Sequence, residues 1–116
     1  MPTTPGWQFY DRQIAFLEGE DIDGLMTQYA DDAVLVSFDN QIRGKQAMHE
    51  YMRSYLQRLG TLRLLSTDKF TETPDSIFFE ATIQTTGGIA RVYDVFMLRD
   101  GKATHHFTGL LSFTPA

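Results

Sequence analysis

The 116-residue sequence contains no cysteine. That excludes disulfides, thiolate nucleophiles and cysteine-held metal sites. It has no basic run either: ten Lys and Arg stand against fifteen Asp and Glu, for a net charge of −5. Phosphate contacts need a positive patch, so no nucleic-acid partner is expected. No apolar run approaches the ~18 residues of a spanning helix. The opening MPTTPGW has neither a positive n-region nor an apolar h-region. No membrane partner is expected, and a cytoplasmic location is the simplest reading. Internal repeats, low-complexity tracts and linkers are missing too, so residues 1–116 read as one domain.

What the chain does have is aromatic mass. Aromatics make up 13%, with nine Phe and five Tyr, inside a hydrophobic fraction of 42%. That suits a large core, an apolar pocket or a buried interface.

Helical patterns come first and strand patterns afterwards, which argues for an α+β fold with an antiparallel sheet. A helix is expected from about Trp7 to Leu17, ending at Gly19. Asp21 can cap a second helix, with Ile22, Leu25, Met26 and Tyr29 at i, i+3, i+4 and i+7. Ala33 to Phe38 reads as a short strand and "DNQIRG" as a loop. Lys45 to Leu59 carries an unbroken apolar stripe through Met48, Tyr51, Met52, Tyr55, Leu56 and Leu59. Four strands follow: 62–70, 77–85, 89–98 and 103–113. "TETPDS", Gly87-Gly88 and the Asp100-Gly101 region turn between them. The expected architecture is a long curved antiparallel sheet with three helices covering one face.

Alternation then assigns faces. A Gly87-Gly88 turn pairs Ile83 with Val92, Ala81 with Asp94 and Phe79 with Phe96. That face is apolar except for Asp94. The opposite face carries Tyr93, Val95 and Met97, enough apolar surface for a homodimer contact. A two-residue turn at Asp100-Gly101 places Phe107 opposite Asp94. A three-residue turn with a bulge places His106 there, and the Asp-Gly-Lys ending favours this form. Thr104, His106 and Thr108 then share the face of Asp94, and His105 points away.

"EGEDIDGLMTQYADDAVLV", "RGKQAMHEYM" and "YDVFMLRDGK", in that order and spacing, resemble the nuclear transport factor 2-like superfamily, and within it the SnoaL-like and ketosteroid-isomerase-like branch. The resemblance implies a cone-shaped, cystatin-like α+β roll with an apolar pocket between sheet and helices, often dimeric through the sheets. It also implies roles. Asp94, opening "DVF", stands where the isomerases hold an oxyanion-binding acid. Their general base corresponds to Ser37, with Asp39 two residues on. Their oxyanion tyrosine corresponds to Gln13, with Tyr10 one turn earlier. Two of three positions depart, which disfavours steroid isomerisation. Val92 stands where the limonene-epoxide-hydrolase-like branch needs an Arg, which disfavours that chemistry as well. SnoaL-like cyclases, with acid/base chemistry on polyketide-type substrates, are less tightly specified.

Asp94 and His106 are therefore the candidate catalytic pair. A carboxyl group on an apolar face can serve as acid, base or donor near neutral pH, and an adjacent imidazole can move the proton. The competing reading is a buried acid satisfied by a histidine, with no chemistry. Tyr10, Gln13, Ser37, Tyr51, Tyr55 and Thr108 could present polar tips to a ligand, and Phe16, Met52, Phe79, Val92 and Phe96 could wall it. Each could equally be core. No cofactor or metal is expected. Three functions stay open: a cofactor-free isomerase, cyclase, dehydratase or hydrolase acting on a small apolar molecule; a non-catalytic binder of such a molecule; and a dimerisation module.

Overall fold

The computed structural model describes residues 4–116; residues 1–3 of the opening stretch lie outside the described residues. Thr4 caps the first helix, its hydroxyl accepting from the Trp7 N–H, and Pro5 sits at the first helical position, where its missing N–H costs nothing. Helix α1 spans Pro5–Glu18. Helix α2 is only Ile22–Met26, with the Asp21 carboxylate accepting from the Gly24 N–H. Tyr29 is not on it. The i+7 spacing is coincidental, because Tyr29 opens strand β1 (Tyr29–Val36).

The "DNQIRG" stretch is not all loop. Gln41–Arg43 forms β2, folding back on β1 across Ser37–Asn40. A three-residue strand with Ile42 as its one apolar residue is too short for alternation to reveal. Helix α3 spans Lys45–Leu59 as expected. The long strands are β3 (Leu62–Thr73), β4 (Ser76–Thr85), β5 (Gly88–Arg99) and β6 (Lys102–Pro115).

The six strands form one curved, unclosed sheet in the order β2-β1-β6-β5-β4-β3. It is not purely antiparallel, since β1 runs parallel to β6. The intervening α3 and four strands, β2 to β5, bring the chain back in the same direction, as a parallel pair requires. The helices lie on the inner face. The core is formed there by Phe9, Tyr10, Leu25, Met48, Phe79 and Phe96 with their neighbours, all nearly inaccessible. No helix among the described residues is long and apolar enough to cross a membrane.

Both hairpins that set the site differ from expectation. The β4–β5 turn uses Thr86 and Gly87, pairing Thr85 with Gly88, so the register is displaced by two: Phe79 faces Asp94 and Ala81 faces Val92. A displacement of two preserves which face each side chain occupies. The β5–β6 turn is the two-residue form. Arg99 pairs with Lys102, and Asp100 and Gly101 both take positive φ (54° and 77°), as a type I′ turn demands. The ladder slips by one immediately after it: Leu98 pairs with Ala103, but Met97 pairs with His105, leaving Thr104 as the extra residue. This bulge replaces the expected three-residue turn. It sends Ala103 and His106 inward and aligns Asp94 with Thr108 and Phe96 with His106.

Candidate functional site

Asp94 and His106 stand on adjacent strands, two positions apart on the ladder with the Val95–Phe107 pair between them, and both point inward. His106 Nε2 lies 2.6 Å from Asp94 Oδ1. Their side chains are 6% and 13% exposed. The imidazole ring stacks against Phe96, whose centroid is 3.9 Å away at 24° between planes. Its other nitrogen, Nδ1, lies 2.9 Å from the hydroxyl of Tyr29. That hydroxyl accepts from Gln13 Nε2 at 3.2 Å. Both ring nitrogens are therefore engaged by protein groups. Asp94 keeps Oδ2 without a partner among the described residues.

Burial raises the pKa of Tyr29, and the nearby Asp94 charge adds to the effect, while the Gln13 hydrogen bond opposes it. Tyr55 is raised by burial and then by Asp94. Tyr10 is raised by burial, against the hydrogen bond to Thr67. All three phenols keep their protons at neutral pH; Tyr10 and Tyr29 are engaged by Thr67 and His106, and Tyr55 is available as a donor.

In front of the pair lies a small cavity of about 70 Å³. Asp94, His106, Gln13, Tyr55 and Thr108 supply polar edges, and Met52, Phe79 and Val92 are among its apolar walls. A wider, 500 Å³ cavity shares Tyr51, Tyr55, Val92 and Thr108 with it and is further bounded by Ser37, Phe38, Arg58 and Leu110.

Seven of the eleven ligand-lining residues expected from sequence line the inner cavity: Gln13, Tyr51, Met52, Tyr55, Phe79, Val92 and Thr108. Ser37 lines only the outer cavity, and its hydroxyl accepts from the Asn40 N–H. Tyr10 lies deeper, its hydroxyl spent on Thr67 at 2.6 Å. Phe16 packs over Gly24, where an added Cβ would fall 2.4 Å from its ring. Phe96 sits behind the histidine rather than beside the cavity. Sequence reasoning missed Tyr29, because helical spacing absorbed it.

A family profile for the SnoaL-like domain matches residues 10–106. The chain belongs to the SnoaL-like family. No curated protein sequence is significantly similar to it. Solved structures share the fold of this SnoaL-like domain at low identity. A SnoaL-like protein of unknown function from Burkholderia thailandensis is 17% identical with a TM-score of 0.81, covering 97% of this chain and 99% of that one. A protein from Sinorhizobium meliloti that has been proposed to be a polyketide cyclase is 15% identical with a TM-score of 0.77, covering 88% and 94%. TerC, crystallised with polyporic acid, is 20% identical with a TM-score of 0.77, covering 92% of each chain.

Proposed function

We propose that this SnoaL-like domain is a cofactor-free acid/base enzyme that takes a proton from carbon next to a carbonyl in a small, largely apolar molecule. One observation carries the reading: His106 has both nitrogens bonded, so the open basic atom at the apolar cavity is Asp94 Oδ2. His106 then acts as a positioning residue that holds the carboxylate through a charge-assisted hydrogen bond. Asp94 accepts the C–H proton and the electron pair moves to the carbonyl oxygen. The Tyr55 hydroxyl, which has no partner among the described residues, donates to the resulting oxyanion. Return of the proton at another carbon gives isomerisation, and attack of the enolate carbon on a second carbonyl gives cyclisation.

Size limits the ligand. On the scale where one water needs about 10–15 Å³, the inner cavity holds only a small head group. The outer cavity supplies the several hundred Å³ typical of ligand pockets. The ligand enters head first, with its body between Tyr51, Tyr55 and Leu110. Neighbours proposed to be a polyketide cyclase and crystallised with polyporic acid support a ligand in the same chemical range. The test is a crystal soaked with an enolisable aryl ketone. The carbonyl oxygen is expected within hydrogen-bond distance of Tyr55, and the adjacent carbon against Asp94. Binding confined to the outer cavity would overturn the reading and favour a non-catalytic binder.

The outer sheet face supports a homodimer as a further proposal. Phe78, Val95 and Phe107 stand in one cross-strand row, and Phe78 and Phe107 are 47% and 38% exposed. A Val95→Glu change should shift the species seen by light scattering to half its mass; a wild-type monomer at high micromolar concentration would contradict the proposal.

A further inference from the structure

We propose that the proton on His106 is placed by a one-way chain of hydrogen bonds that starts at Arg12 on the surface. It rests on the same site, naming Gln28, Gln13 and Tyr29 as its positioning residues. A guanidinium can only donate. Arg12 Nε lies 3.0 Å from Gln28 Oε1, so that end of the Gln28 amide is its oxygen. The other end then donates to the Phe9 carbonyl at 2.9 Å, an acceptor only, and lies 3.4 Å from Gln13 Oε1. The two constraints on Gln28 agree, so neither amide can be turned over without setting like against like.

The direction now propagates inward. With its oxygen committed to Gln28, Gln13 must present Nε2 to Tyr29. The Tyr29 oxygen accepts that bond, so its own proton goes to His106 Nδ1. Nδ1 is therefore bare, the ring proton sits on Nε2, and Nε2 donates to Asp94. The arrangement excludes the opposite pair, in which a protonated Asp94 faces an Nδ1–H histidine. Gln13 and Gln28 are nearly inaccessible, so water does not compete for these bonds. A buried mismatch in the chain would leave a group unsatisfied, which is what holds the direction. The chain makes Asp94 the proton acceptor of the pair.

The test needs no substrate, so its failure is separate from a failure to find turnover. Two-bond nitrogen-15 correlation spectra at neutral pH should show His106 Nε2 protonated and Nδ1 bare in the wild-type protein. In Gln28→Glu, the new carboxylate accepts from both Arg12 and Gln13 and gives up the bond to the Phe9 carbonyl, a bond that the Gln13→Glu variant keeps. Gln13 then turns its oxygen to Tyr29, and Tyr29 must accept from His106. Nδ1 should become protonated although the change lies three links from the ring. Gln13→Glu should produce the same reversal one link closer and serves if Gln28→Glu does not fold. A protonated Nδ1 in the wild type would overturn the proposal, as would an unchanged imidazole spectrum in the folded variant.

Discussion

Two polar clusters sit on opposite faces of the same sheet, and the contrast between them shows what burial does to similar residues. On the outer face, Arg91 reaches Glu80 at 2.8 Å and Asp68 at 3.6 Å, with Lys69 3.8 Å from Glu80. Asp68 accepts from Ser66 and Thr82, both at 2.7 Å. The basic side chains of this cluster, Lys69 and Arg91, are open to water, so solvent can replace them as partners and screening weakens the pairs. On the inner face, the line from Gln28 to Asp94 has few groups and one arrangement. Gln28, Gln13, Tyr29 and His106 have no solvent alternative, so each hydrogen bond dictates the next. The outer cluster adjusts to change, whereas the inner line transmits it.

The comparison can be broken at either face. The largest expected effect of those considered first is on turnover. His106→Gln leaves the Asp94 carboxylate misplaced and should lower the rate roughly 100-fold, whereas Arg91→Gln on the outer face should leave it unchanged; equal losses in steady-state assays would erase the distinction. Stability comes next. Tyr29→Phe strands Gln13 Nε2 and His106 Nδ1 and should cost about 1–3 kcal/mol in urea unfolding. Stability equal to wild type would show that the inner line is not held by its hydrogen bonds. High pH should produce a smaller, gradual loss. Tyr29 and Tyr55 titrate above the ordinary tyrosine value of 10.0 in the folded protein because burial disfavours the phenolate. Their contribution is fully present below that value and declines as pH rises beyond it, because the unfolded chain ionises first. A midpoint independent of pH between 9 and 11, in the range around the ordinary tyrosine value, would contradict it. The smallest effect is Arg91→Ala, which should cost under about 1 kcal/mol and still less at high salt. At low pH the sign reverses for Asp68, whose hydrogen bonds to Thr82 and Ser66 hold its pKa below the usual carboxylate value. Its support is present above that value and fades as the folded carboxylate takes up a proton.

The sequence made the face of each site residue legible but not the backbone route to it. Asp94 and His106 share the inner face as alternation and a bulge require, yet the bulge is at Thr104 after a type I′ turn rather than within a longer turn. Both routes insert one extra residue, and Asp-Gly suits either of them. The β4–β5 turn was displaced by two for a similar reason, since Thr86-Gly87 and Gly87-Gly88 are both acceptable turn pairs and leave the same residues inward. Tyr29 was hidden by a helical spacing that ends three residues before it. Its role depends on β1 lying parallel to β6, with an irregularity between Tyr29 and Val34 that no local pattern announces. The departures at Gln13 and Ser37 from the isomerase pattern are resolved differently by the structure. Gln13 lies in the inner line beneath the cavity, and Ser37 only at the outer cavity.

The most direct test of Asp94 as the base is solvent deuterium exchange at the acidic carbon of an enolisable aryl ketone, followed by proton NMR with wild-type protein and Asp94→Asn. The account predicts exchange catalysed by the wild type and reduced by a factor of roughly 10²–10⁴ in the variant, with the ketone still bound. Exchange that proceeds equally in both proteins, or in neither while the ketone occupies the inner cavity, would contradict it.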